Sequence, residues 1–232
     1  TAYSSAATLT VTRTTLGTPV TPTGSATSGS ATSINVSLTG VANASSYTAR
    51  IYLASDTSNI LRTITSFTSG SAITGLTANT DYVVSITAIG DGISYADSSA
   101  SAFSSSITTN AAAATPTVSA PTSASKNVGQ THRFSSSATV GDAGALTYQW
   151  QVSSNGTDWS DISGATAVDY TTAILVIGDN AKQYRMGATN SKNGTTTTAY
   201  SSAATLTVTR TTLGTPVAPT GVPTANVSNS IN

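Results

Sequence analysis

A chain of 232 residues is long enough for two ordinary domains, and this one balances nine Lys and Arg against nine Asp, with no Glu, no Cys, one Met and one His. Zero net charge excludes a strongly electrostatic partner such as nucleic acid or an acidic lipid surface, and the lack of Cys excludes a disulfide framework. Only 8% of residues are charged, against about 25% in ordinary soluble domains, while Ser and Thr together fill 83 of the 232 positions.

Threonine is β-branched and suits a pleated surface, and its hydroxyl keeps an outer face wet. A chain rich in Thr, Val, Ala and Ser and poor in Leu, Glu and Lys is written for strands and against helices. Low charge and regularly spaced Tyr, Ile and Val argue against disorder. No apolar run approaches the roughly 20 residues of a membrane-spanning helix. The chain opens without an initiator Met or a charged-then-apolar leader, which reads as a mature or internal fragment. A secreted sandwich without Cys points to a bacterial surface more than an animal one.

Taken in order, the chain opens on TAYSSAATLTVTRTTLGTPVTPTG, and residues 198–221 repeat it with Ala218 in place of Thr21 as the one change. The spacing is 197 residues and still holds at Ile34-Asn35 and Ile231-Asn232. Near-identity in one stretch and drift beside it is the mark of a tandem array. Residues 1–13 are therefore expected to be the last strand of one module, and 216–232 the start of another, with the array continuing on both sides.

Within the first full module, Ile34, Val36 and Leu38 alternate with polar residues. Tyr47, Ala49, Ile51 and Leu53 do the same, as do Tyr82, Val84, Ile86 and Ala88. Each is a period-2 stripe with one face toward a core. The segment Leu76-Thr-Ala-Asn-Thr-Asp-Tyr82-Val-Val-Ser-Ile-Thr-Ala88 resembles the fibronectin type III signature. That resemblance covers about residues 19–109. It implies a tyrosine corner at Leu76 and Tyr82, a last hairpin at Gly90-Asp91-Gly92 running into the Ser/Thr-rich stretch up to Thr109, and Leu38 in place of the family's second-strand Trp.

The second module carries Leu146-Thr-Tyr148-Gln-Trp150-Gln-Val152, then Asn155-Gly156 and Trp159-Ser-Asp-Ile162. Asn-Gly is a strong hairpin signal because both turn residues tolerate positive φ. The pattern resembles bacterial immunoglobulin-like repeats over about residues 116–210. The resemblance implies Trp150 as core Trp, Tyr184 as a second tyrosine corner, Phe134 and Met186 at the disulfide positions, and Thr205–Thr209 in the closing strand. The expected fold class is all-β: tandem β-sandwich modules, fibronectin type III-like and immunoglobulin-like, with no helical domain. Thr14–Thr18 and Asn110–Thr115 read as short linkers, stiffened by Pro19 and Pro116.

Chemistry-bearing patterns are sparse. His132, in Thr131-His-Arg-Phe134, stands beside no nucleophile signature and reads as a partly buried or rim His. Asp158 and Asp161 flank Trp159, but as hairpin residues rather than as the paired acids of a glycosidase. The loops around Asp91 and Asp142 lack the Asp-x-Asp-x-Asp spacing with a terminal Glu of a calcium loop and read as turns. An intramolecular Lys–Asn isopeptide would have only Asp as its acid. Five sequons, at Asn35, Asn43, Asn155, Asn193 and Asn226, are acceptor patterns that so Ser/Thr-rich a chain produces by chance. Tyr52 and Tyr95 read as exposed rings that could stack on sugar or pack across strands.

No catalytic, cofactor-binding or metal-ligating residue is assigned. The expected function is that of a structural repeat in an extracellular filament, stalk, adhesin or surface layer, not an enzyme. Its partners would be neighbouring repeats of the same chain, lateral copies in fibres or layers, and a cell-surface or glycan target. Glycan-binding modules and accessory domains of a secreted glycan hydrolase are the alternatives.

Overall fold

The β-branched stripes form strands in the computed structural model, which describes residues 12–211 and Gly221. The strand expected over 1–13 and the module start expected over 216–232 therefore lie outside the described residues, apart from Thr12, Arg13 and Gly221. Among the described residues the one helical element is a 3-10 turn at Ile177–Asp179, and no helix is long and apolar enough to cross a membrane.

Nine strands precede Asn110: β1 (Thr14–Thr15), β2 (Thr23–Ala26), β3 (Ile34–Ser37), β4 (Ser46–Leu53), β5 (Arg62–Ile64), β6 (Ala72–Ile73), β7 (Asp81–Ile89), β8 (Tyr95–Ala96) and β9 (Ile107–Thr108). Seven of them build two antiparallel sheets, ordered β2-β3-β6 and β5-β4-β7-β9, and β1 pairs with β8 in parallel apart from these. Ile34, Val36 and Ile73 from one sheet face Ala49, Ile51, Tyr82, Val84, Ile86 and Ile107 from the other, closed by Phe67 and Leu76. This is a face-to-face sandwich with the core between the sheets. The Tyr82 hydroxyl accepts the Thr77 N–H at 2.9 Å over buried Leu76, the tyrosine corner that the fibronectin type III resemblance implies. Leu38 packs only at the margin, and Ile34 and Val36 fill the centre.

One expectation fails on β7. Its second face was expected to be wet, yet Val83, Ser85 and Thr87 are buried along with the core-facing residues. The cause lies across the strand pair. Tyr52 stands opposite Val83 and packs edge-on to Phe103 at 5.0 Å, and Arg50 donates to the Thr87 hydroxyl at 3.0 Å.

The Ser/Thr-rich stretch leading to β9 is not an ordinary strand. Ser98, Ser101 and Ser104 are buried, and the two residues between each pair are exposed. Their N–H groups donate to the carbonyls of Ala88, Ile86 and Val84 at 3.0, 2.8 and 2.9 Å. Their hydroxyls accept the N–H groups of the same three residues at 2.9, 2.9 and 3.0 Å. Each Ser thus supplies both halves of a ladder rung, using its side chain where a strand would use its carbonyl. Three residues of this segment advance for every two of β7.

The second sandwich has ten strands: β10 (Thr117–Val118), β11 (Ala124–Asn127), β12 (Arg133–Ser135), β13 (Ala138–Thr139), β14 (Ala145–Ser153), β15 (Ser160–Asp161), β16 (Asp169–Thr171), β17 (Gln183–Lys192), β18 (Thr195–Tyr200) and β19 (Ala204–Thr209). The main sheet runs β11-β19-β17-β14-β15, with β18 also on β17, and β12-β16 and β10-β13 pair apart from it. β11 runs parallel to β19. Trp150 is fully buried opposite Met186, and its indole N–H donates to the Ala167 carbonyl at 2.9 Å. Phe134, Leu175, Met186, Leu206 and Val208 complete the core. Apolar packing thus occupies the positions that the immunoglobulin-like resemblance gives to Cys. Ser201 repeats the serine rung, donating to Met186 C=O at 2.9 Å and accepting the Met186 N–H at 3.0 Å.

Two local expectations are corrected here. Tyr184 forms no side-chain hydrogen bond among the described residues and so makes no corner. Its ring stacks on Phe134 at 4.6 Å, and burial pushes its phenol up to about 12. Asn155-Gly156 is not a two-residue hairpin: Gly156 has φ 79° but Asn155 is not in the left-handed region. Instead the Asn155 Oδ1 accepts the N–H groups of Thr157 and Asp158 at 2.9 and 2.8 Å, an Asx turn inside a longer loop.

Candidate functional site

Where the chain passes from the first sandwich to the second, it reads Asn110-Ala-Ala-Ala-Ala-Thr115. Four Ala side chains offer nothing to anchor, so only the backbone can be held, and polar residues of both sandwiches hold it. The Asn110 Nδ2 donates to the carbonyls of Thr27 and Ser30 at 2.8 and 2.9 Å, and the Asn110 carbonyl accepts the Asn79 N–H at 3.1 Å. The Asn193 Nδ2 donates to Ala111 C=O at 2.9 Å. Ala113 donates its N–H to the Thr195 hydroxyl at 2.7 Å and accepts from the Thr197 hydroxyl at 3.0 Å. Ala114 donates to Asp142 Oδ2 at 2.8 Å and accepts from Asn190 Nδ2 at 2.9 Å.

The hairpin that supplies most of these groups turns at Asn193-Gly194, with φ 47° and 71°, the left-handed pair that a two-residue hairpin turn demands. Its tip reaches the first sandwich: Ala31 N–H donates to the Asn193 carbonyl at 2.8 Å, and a side chain on Gly194 would meet Gly29 O at 3.2 Å. The Asp142 carboxylate is the charged centre. It accepts the N–H groups of Ala114 and Gly144 and the Asn190 amide. Its own carbonyl accepts from Lys192 Nζ. Asn190 is fully buried, and its Oδ1, which has no hydrogen-bond partner, lies against Gly144, where any Cβ would collide with it.

The hydrogen bond from Ala114, ahead of those from Gly144 and Asn190, holds the Asp142 carboxyl below its ordinary value. A carboxyl with a lowered folded pKa contributes fully above the unfolded value of about 3.9 and loses that contribution as pH falls through the folded one. Asp142→Ala is expected to lower hydrogen-exchange protection at the Ala114 amide on the order of tenfold, the scale of one charge-assisted hydrogen bond. Acidification below about pH 4 should loosen the same amide in the wild type. Site-resolved exchange measures both.

A second contact ties the segment before Pro19 to the first sandwich. Thr14–Thr15, expected within a linker, form β1 and pair in parallel with β8. Thr14 N–H donates to Ser94 C=O and Leu16 N–H to Ala96 C=O, both at 3.0 Å. Arg13 Nη1 donates to Gly92 C=O at 2.9 Å, and Leu16 is buried. The receiving loop is preset by Asp91, whose Oδ1 accepts the N–H groups of Ile93, Ser94 and Tyr95, each at 2.8 Å. Gly90 is required because a Cβ there would collide with the Tyr95 carbonyl.

The residues weighed for chemistry are dispersed. His132 packs edge-on to Phe134 at 4.5 Å, and burial, then Lys126, lowers its pKa. Asp158 accepts from Asn155, and Asp161 from Gln151. Among the described residues no three His, Cys, Asp or Glu gather in a metal-binding group. Tyr52, expected to be exposed, is buried against Phe103, and Tyr95 is half-buried in β8. Asn226 lies outside the described residues. Sequence reasoning missed a stack on the outer face of β17, where the Arg185 guanidinium sits 4.2 Å from the Trp159 ring and 4.1 Å from the Tyr200 ring.

Residues 104–210 match a family model described as a domain of unknown function (DUF8696). The FN1–FN3 domains of chicken CNTN1 are similar to the chain at 13% identity and a TM-score of 0.33, over 84% of this chain and 68% of that one. No curated protein matches the chain.

Proposed function

We propose that this chain is a structural repeat of an extracellular assembly, a filament, stalk, adhesin or layer at a bacterial cell surface, and that it holds its neighbours at fixed spacing instead of turning over a substrate. On this reading the sandwiches are modules spanning residues 19–109, fibronectin type III-like, and 116–210, immunoglobulin-like. The observation that carries it is the bonded crossing at Asn110–Ala114, where Asn110 is tied to the first sandwich and the backbone of Ala111, Ala113 and Ala114 to the second. The 197-residue repeat supports it, because repeat modules contact chiefly their neighbours and an array grows without loss of fold.

Small-angle scattering and limited proteolysis of the whole chain test the reading. The expected results are one extended particle of fixed length and no early cleavage between Asn110 and Thr115. Rapid release of separate sandwiches by cleavage in that segment would overturn it.

A second reading, glycan recognition, has one observation in its favour. Half-exposed Tyr200 lines a groove with Gln149, Gln151, Asp161 and Thr198, and partly exposed Trp159 stacks on Arg185 beside Tyr200. Both rings, however, already stack on Arg185. A glycan-array signal abolished by Trp159→Ala would select this reading.

A further inference from the structure

Between β14 and β17 on one side and β16 and the 3-10 turn on the other, the second sandwich holds a cavity of about 230 Å³. Val152, Ile162, Ala173 and Leu175 form its apolar wall, and the rings of Tyr170 and Tyr184 complete it. Tyr184 is 5% exposed and Leu175 2%, so the floor of the cavity is the core itself. A buried Tyr hydroxyl ordinarily finds a hydrogen-bond partner, yet neither phenol has one among the described residues. Both look into the same polar corner, because Asp179 acts on each of them and Tyr170 acts on Tyr184. Burial raises both phenols, Tyr184 up to about 12, so at neutral pH each is an O–H donor.

The charged groups at that corner are already matched. Lys182 Nζ donates to Asp179 Oδ1 at 2.7 Å, and Asp179 Oδ2 accepts the Val176 N–H at 2.9 Å. Lys182, ahead of Val176, holds the Asp179 carboxyl below its ordinary value. Both carboxylate oxygens are therefore engaged, while the ammonium keeps its other N–H donors on a side chain 36% exposed. What remains vacant is a set of donors: two phenols and one ammonium. The space has a size as well. A cavity of about 150 Å³ accepts a benzene ring, so this one has room for a ring or a branched chain together with a polar head.

We propose that this cavity binds a small apolar monocarboxylate, either a free acid or the C-terminal residue of a peptide, with its hydrocarbon against Val152 and Leu175 and its carboxylate received by the Tyr170 and Tyr184 hydroxyls and Lys182. The same inventory turns away other heads. An amine finds no vacant carboxylate oxygen, and an alcohol forgoes the stronger, charge-assisted bonds. Asp179 and Lys182 are neutral as a pair, so an incoming anion meets donors without a net like charge. A dominantly apolar wall with a few convergent polar groups is the ordinary make-up of a ligand pocket. All of it lies within the second sandwich and needs no neighbouring repeat.

Amide-resolved NMR of the whole chain tests the site with benzoate as the probe. Saturable shifts should centre on Val152, Leu175 and Tyr184, with a Kd on the order of 1 mM for a ligand of one ring. Benzyl alcohol should bind at least about tenfold more weakly, and benzylamine without saturation. Tyr184→Phe and Tyr170→Phe should each weaken benzoate about tenfold and leave the melting midpoint unchanged, since neither hydroxyl bonds within the protein. Ala173→Leu, on the exposed rim, should abolish binding by filling the space. A tripeptide ending in Phe distinguishes the sources. Saturation by its free-carboxyl form as well as by benzoate assigns a chain end, and saturation by benzoate alone assigns a free acid. No saturable shift with benzoate or the peptide overturns the site. Equal affinity for benzoate and benzyl alcohol, saturation by the amidated peptide, or benzoate binding untouched by either Phe variant overturns the carboxylate assignment.

Discussion

Trp150→Ala is expected to cost the second sandwich about 3–5 kcal/mol, the range for deleting a large buried aromatic. The indole is fully buried, packs at the centre of the core with Phe134 and Tyr170 around it, and satisfies the Ala167 carbonyl. Its removal opens a cavity in the core and takes away the indole partner of the Ala167 carbonyl. With about 4–8 °C of midpoint lost per kcal/mol in a domain near 100 residues, the second sandwich should melt at least about 12 °C earlier or fail to fold. Both Trp of the chain, Trp150 and Trp159, lie in that sandwich. Calorimetry of the variant should therefore show an early transition beside an unchanged one from the Trp-free first sandwich. Trp150→Phe, which keeps a ring and loses the N–H, should fall between. An unshifted melt for Trp150→Ala would contradict the core assignment.

Ser101→Ala should be nearly as informative at the other core. Its hydroxyl accepts the Ile86 N–H at 2.9 Å and donates to Ala102 C=O at 2.8 Å. Alanine preserves the backbone rung and leaves the Ile86 N–H buried and unpaired, a cost of about 1–3 kcal/mol. Ser105→Ala, four residues further along and exposed, should stay within about 0.5 kcal/mol of wild type. Denaturant unfolding of the two variants, read with exchange at the Ile86 amide, separates the rung from a general effect of losing Ser. Equal effects from both would remove the special role given to the buried hydroxyls.

Much of this fold was legible in the residues. Period-2 stripes at Ile34–Val36 and Tyr82–Ala88 identified strands because one face of each meets a core. Leu76 and Tyr82 carried their corner, and Trp150 its burial. The failures have physical causes. Asn-Gly was read as the hairpin at Asn155, where the Asn side chain caps a longer loop, whereas at Asn193-Gly194 the same dipeptide makes the tight turn and was weighed only as a sequon. Tyr52 was placed outside by alternation, which counts faces and does not see the Phe103 edge that covers it. The crossing at Asn110–Ala114 was read as a stiff linker from its length and from Pro116. The residues that hold it, Asn79, Asp142, Asn190, Asn193 and Thr195, lie far away in sequence, and no local pattern links them to the Ala run. The serine rungs left a signal that was present and unused, the spacing Ser98-x-x-Ser101-x-x-Ser104 ahead of Ile107.

That spacing also governs what can grow on the rim of the first sandwich. A sheet recruits a stranger by presenting donors and acceptors at the two-residue step of an incoming strand. Here the outermost segment climbs by threes, and the hydroxyls of Ser98 and Ser101 fold over onto the carbonyls of Ser99 and Ala102 at 2.8 Å. Its outward groups are incommensurate with any ordinary strand and partly spoken for. A nearly uncharged protein built of strands thus resists fibrillation along this rim by mismatch of pitch, without relying on electrostatic repulsion.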